Sequence, residues 1–145
     1  MTRNLDATDV DDLAVGAWIL GTGGGGSPYL NHLNMQQIAA TGTQFELIDP
    51  QELDDDAQVA VVSTMGAPLV MQERLQDARD VARVVEIMGE YLGSSFDAVM
   101  ATEIGGSNAF QPLMAAAHLG LPIVDADAMG RAYPEAQMTS FAIGG

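Results

Sequence analysis

Ala98 to Val124, AVMATEIGGSNAFQPLMAAAHLGLPIV, is the stretch on which the fold turns. Ala98–Thr102 is short, apolar and bounded by polar residues, which predicts a buried strand. Glu103-Ile104-Gly105-Gly106-Ser107 reads as a loop, and Asn108–Leu119 as a helix. Gly120 and Pro122 then break the chain before a second apolar pair, Ile123-Val124. Strand, helix and parallel strand form the unit of an α/β fold, and the flanking sequence repeats the alternation.

Upstream, Val59–Val62 is a continuous apolar run, the pattern of a strand covered on both faces. Phe45–Ile48 is a further strand candidate. A first helix is expected over Asp9–Leu20, capped by Thr8 or Asp9, with Val10, Leu13, Ala17 and Leu20 on one face. Ser27-Pro28 suits a helix start, so a second helix is expected from Pro28 to about Ala40. After the break at Gly66-Ala67-Pro68, one long helix is expected over Val70–Leu92, with Leu75, Ala78, Val81, Val85, Met88 and Leu92 as its stripe. Met138–Gly145 reads as a strand that stops in mid-course, the mark of a truncated domain or of a missing partner. The expected architecture is three-layer α/β/α around a mostly parallel sheet, in one domain spanning residues 1–145.

The composition narrows the function. With 20 acidic and 5 basic residues the net charge is −15, and every basic residue is arginine. Nucleic acid and anionic membranes both require a basic face, so neither is an expected partner. No apolar run reaches membrane-spanning length and the N-terminus lacks a signal-peptide layout, which makes the cytoplasm the expected location. The absence of cysteine removes thiolate chemistry, and two histidines, His32 and His118, do not make a histidine-rich metal site. Both suit helix positions.

Ligands of open α/β sheets bind beyond the carboxyl ends of the strands. Loops there carry Glu103, Asn108, Asp125, Asp127, Arg131 and Glu135. Three converging carboxylates would need a cation, a proton or an arginine. Glu103, Asp125 and Asp127 are therefore candidates for a general base or for divalent-metal ligands, while the same acids suit turn capping. The cofactor stays open, with a divalent metal as one option. Gly23, Gly24, Gly25 and Gly26 precede a helix start and could present backbone amides to an anion, or simply allow a tight corner. No lysine follows as in a P-loop, and a helix rather than a strand precedes them, unlike a dinucleotide fingerprint. Asn108 suits either a helix cap or a contact to a substrate amide.

Four motifs occur in order: Leu20-Gly21-Thr22-Gly23-Gly24-Gly25-Gly26-Ser27-Pro28-Tyr29, Met65-Gly66-Ala67-Pro68, Glu103-Ile104-Gly105-Gly106-Ser107-Asn108-Ala109, and the run from Val124-Asp125-Ala126-Asp127 through Gly130-Arg131-Ala132-Tyr133-Pro134-Glu135 to Thr139. The series resembles the S-methyl thiohydantoin desulfurase family, long carried as an uncharacterised hydantoinase-associated family. The resemblance covers nearly the whole chain. It implies the N-terminal α/β domain of that family, without the mainly β C-terminal domain that follows in its members. The implied activity is hydrolytic removal of a methylthio group from an S-methylated thiohydantoin ring, or action on a related cyclic amide. For that chemistry, rather than from family membership, Glu103, Asp125 or Asp127 is expected to activate water or bind a metal, Asn108 and the Gly23–Gly26 amides to orient the ring, and Arg131 to hold a substrate carboxylate. The expected partners are a small cyclic amide or thioamide and either a second copy or a chain carrying the β domain. The competing expectation is a non-catalytic truncated subunit with exposed apolar surface.

Overall fold

A computed structural model describes residues 2–66, 68–74 and 76–144, with Pro68 described by its backbone alone. Five strands form one sheet in the order β1-β2-β5-β4-β3: β1 (Arg3–Leu5), β2 (Phe45–Ile48), β3 (Val59–Val62), β4 (Ala98–Ala101) and β5 (Ile123–Asp127). β1 runs antiparallel to β2, and the remaining pairs are parallel. Among the described residues six α-helices accompany them: α1 (Ala7–Gly21), α2 (Tyr29–Ala39), α3 (Pro68–Glu73), α4 (Arg79–Leu92), α5 (Gln111–Leu119) and α6 (Ser140–Gly144). This mixed, mostly parallel arrangement is consistent with the expected three-layer α/β/α fold.

Strand alternation divides the core. Phe45, Ala60, Val62, Val99 and Ile123 join Val10, Ala14 and Ala17 of α1, Met35 of α2, Val81 and Val85 of α4, and Leu113 and Met114 of α5 in the larger cluster. The alternate strand residues, Ala98, Met100 and Val124, form a smaller cluster with Ile48, Leu53, Val59 and Ala126. No described helix is long and apolar enough to cross a membrane.

Several expectations are corrected. α1 is capped by Asp6, not Thr8 or Asp9: the Asp6 carboxylate accepts from the N–H groups of Thr8 and Asp9, and Asp9 accepts from the Asp6 N–H in return. β3 is an edge strand, so Val61 stays 41% exposed where cover on both faces was expected. The long helix is two. Asp77 ends the stretch between them, accepting from the Arg79 N–H at 2.9 Å, a local bond that competes with helix continuation. Met88 and Leu92 of the expected stripe are exposed. Leu75 of the expected stripe and Ala67 of the expected break lie outside the described residues. The Asn108–Leu119 helix begins as a 3-10 turn over Gly106–Phe110 before α5. The final segment is helical: a 3-10 turn at Ala136–Met138 leads into α6, which Ser140 ties to the end of β5 by donating its N–H and hydroxyl to the Ala128 carbonyl. Its Phe141 and Ile143 alternate as a strand would, yet both are exposed; Gly145 is not described.

Candidate functional site

The carboxyl ends of β3 and β4 lie side by side because their register pairs Val62 with Ala101. Thr64 follows β3 and Glu103 follows β4. Thr102 donates its N–H to the Val62 carbonyl, carrying the pairing one residue beyond the strands. The two loops therefore diverge from a fixed base, and a cavity of about 460 Å³ opens there. Its lining includes Gly25, Gly26, Asn31, Thr64, Glu103, Ser107 and Asn108.

Glycine brings the third wall in. Gly21, the last residue of α1, faces the Gly105-Gly106 backbone, where a Cβ on Gly21 would stand 2.8 Å from the Gly106 nitrogen. Gly25 has φ of +71°, and a Cβ there would collide with the Gly105 carbonyl and come 2.9 Å from Glu103 Oε1. Only glycine permits both the dihedral and the approach. Ser107 donates its N–H to the carbonyls of Gly25 and Gly26, locking the two glycine-bearing loops together. The N–H groups of Gly25 and Gly26 have no hydrogen-bond partner among the described residues, and both glycines line the cavity.

The polar side chains are connected in sequence. Thr64 donates its N–H and its hydroxyl to Asn108 Oδ1, at 2.8 and 3.1 Å. That assigns the amide orientation, leaving Asn108 Nδ2 to donate to Glu103 Oε1 at 2.8 Å. Asn31 Nδ2, from α2, donates to Ser107 Oγ at 2.6 Å. Glu103 is only 4% exposed, and its Oε2 is buried without a partner among the described residues. Burial pushes its carboxyl above the usual glutamate range, the Asn108 bond offsets part of this, and the negative charge of Asp127 adds to it.

The structure does not gather all the residues expected from sequence. Asp127 pins the loop: Oδ2 accepts from the Ile104 N–H at 2.9 Å and Oδ1 from the Gly130 N–H at 3.0 Å. It acts as a turn residue that also biases Glu103. Asp125 is exposed and lines a different cavity, of about 400 Å³, with Asp9, Asp12 and Arg3. Among the described residues no group of three or more Asp, Glu, His or Cys could hold a metal ion. The three-carboxylate metal site does not fit this donor arrangement, since both Asp127 oxygens are committed and Asp125 opens elsewhere. Gly23 and Gly24 shape the corner without lining the Glu103 cavity; Gly24 donates its N–H to Gly21 and packs beside Ala132. Arg131 and Glu135 are exposed and absent from that lining, and Glu135 accepts from the Gln137 amide. Asn108 does not cap its helix. His32 stacks on Phe110 at 6.1 Å and bonds Asp11, a partly buried role rather than a surface one.

Sequence reasoning missed Asn31, Thr64 and Ser107. Asn31 had a signal: it precedes Met35 and Ala39 at steps of four, so a buried helical stripe ends on a polar residue. Gln111, fully buried with Nε2 unpartnered among the described residues, accepts from Gln76 behind the same wall.

The S-Me-THD-like N-terminal domain matches residues 8–145. No curated protein matches the chain in sequence. A crystal structure of a protein from Chromobacterium violaceum is similar, with TM-score 0.78 and 29% sequence identity, covering 99% of this chain and 39% of that one. This chain thus spans well under half the length of that relative. The match along nearly every residue, on the fold and loops described above, places the chain in the S-Me-THD-like family as its N-terminal domain.

Proposed function

We propose that this domain supplies the proton-transfer half of a hydrolase acting on a small cyclic amide or thioamide, an S-methylated thiohydantoin being the substrate class suggested by the family. The observation that carries the reading is Glu103: a buried carboxyl with one oxygen unpartnered among the described residues, at the wall of a cavity where the Gly25 and Gly26 amides have no partner among them either. A carboxyl raised above the ordinary glutamate range can both take and return a proton. In the proposed reaction the ionised Glu103 takes a proton from water as the water oxygen attacks the ring carbon bearing sulfur. The carbon–sulfur bond then breaks, the departing methanethiolate receives that proton, and the proton of the new hydroxyl passes to the ring nitrogen. The products are the ring carbonyl compound and methanethiol. The Gly25 and Gly26 N–H groups suit charge developing on a ring heteroatom. Asn108 and Thr64 fix the carboxyl, and Asp127 acts through the loop as a positioning residue.

Methanethiol release from an S-methyl thiohydantoin tests this in this chain and in a full-length relative. Turnover abolished by Glu103→Gln supports it. Absence of turnover on hydantoin-like rings by the full-length relative removes it.

A second reading is favoured by exposed apolar side chains on α1 and α2, Val15, Trp18 and Ile19 with Tyr29 and Leu33. In it the domain docks a β-rich polypeptide on that face. A shift of Trp18 fluorescence when the β domain is added supports docking, and unchanged fluorescence with no association counts against it.

A further inference from the structure

We propose that α4 is a self-association surface, pairing antiparallel with α4 of a second copy about a two-fold axis near Ile87 and Met88. The inner face of α4 is already used, since Val81, Ala82 and Val85 are buried. Its outer face carries a second apolar stripe of Val84, Ile87, Met88 and Tyr91, spaced as one side of a helix; Val84 is 62% and Tyr91 85% exposed.

The flanking charges select the occupant. Arg83 and Glu90 lie one residue before Val84 and Tyr91, so both border the same side of the stripe. Both are exposed, and neither forms an ion pair among the described residues. Within one helix the charges are partly opposed and partly matched, with Asp80 and Glu86 each three residues from Arg83 as opposite charges. Arg79 and Arg83 are like charges four apart, as are Glu86 and Glu90. Asp80 suits the positive end of the helix dipole, while Arg79 near that end and Glu90 near the other oppose it. An antiparallel copy sets the Arg83 end of one helix against the Glu90 end of the other. Val84 then faces Tyr91, Ile87 faces Met88, and Arg83 borders Glu90 twice, once across each half of the interface. Flanking charges of this kind set orientation in paired helices, and a two-fold interface requires such self-complementarity.

The test is sedimentation of the 145-residue chain with charge-swap variants at these exposed positions. The wild type is expected to dimerise at concentrations of about 100 µM or lower. Arg83→Glu and Glu90→Arg each place like charges together twice and are expected to weaken the dimer by about tenfold or more. The double variant R83E/E90R restores the pairs and is expected to recover the wild-type affinity. Mixing the two single variants should yield a heterodimer where neither self-associates well. Ile87→Asp should give a monomer with an unchanged circular dichroism spectrum. A wild type that remains monomeric at that concentration overturns the proposal. So does a dimer that the single swaps leave intact, or a double variant that fails to recover.

Discussion

At the scale of single residues, Glu103 carries the most consequence. Its carboxyl is raised above the ordinary range, so the folded protein holds that proton more tightly than the unfolded chain does. Stability contributed by the protonated form is present below the unfolded-state pKa and is lost as pH rises through the folded value. Glu103→Gln keeps an acceptor for Asn108 and removes the charge. The expected outcome is a melting temperature at neutral pH equal to or above that of the wild type, with a flatter pH dependence on the basic side of the ordinary glutamate range. Activity should fall by about 10²- to 10⁴-fold in the same variant. A stability gain joined to an activity loss separates a functional carboxylate from a structural one. Its position was legible, since an acid after a buried apolar run stands out. The network behind it was not: Thr64, which bonds Asn108, and Ser107, which bonds the glycine loop, are chosen by the pairing of β3 with β4 and by contacts between loops distant in sequence, which no local pattern encodes.

At the scale of elements, the glycine corner is a packing joint as well as a wall of the Glu103 cavity. Gly21→Ala would push a methyl group into the Gly106 backbone, where no flexible side chain can yield. A loss of about 1–3 kcal/mol is expected from overpacking, measured by urea denaturation, together with weaker ring binding as the two loops separate. Asp6→Ala removes the α1 cap and should cost about 1 kcal/mol in the same experiment without changing activity. The strands β2, β3 and β4 were readable from apolar runs. β1 was not, being three residues long and held to its place by antiparallel pairing to β2. The break between α3 and α4 escaped the periodicity because Val81 and Val85 continue a stripe that Asp77 interrupts by bonding the backbone locally. The helical end at Ser140–Gly144 follows from Ser140 bonding Ala128, a tertiary contact that the alternation of Phe141 and Ile143 conceals.

At the scale of the whole molecule, charge dominates. With a net charge of −15, self-repulsion opposes the compact state and is screened by salt. The melting temperature is expected to rise between about 0.02 and 0.5 M sodium chloride, as followed by calorimetry. A flat or falling profile would mean that the few ion pairs, such as Arg3 with Asp9 and Arg79 with Asp77, outweigh the repulsion. The α/β class and the sheet's parallel character were legible at this scale because alternating elements leave few other arrangements. The separation of Asp125 from Glu103 was not, since β5 runs on through Asp127 and holds Asp125 within the strand at the second cavity, whereas Glu103 follows β4 into the first.

The central claim is that Glu103 holds a desolvated, proton-competent carboxyl beside the glycine loop. Carboxyl carbon NMR of the selectively labelled chain, titrated with pH and assigned through Glu103→Gln, measures it directly. The account predicts a midpoint above the ordinary glutamate range that moves again when a hydantoin ring is added. A midpoint at or below that range, unmoved by the ring, would contradict it.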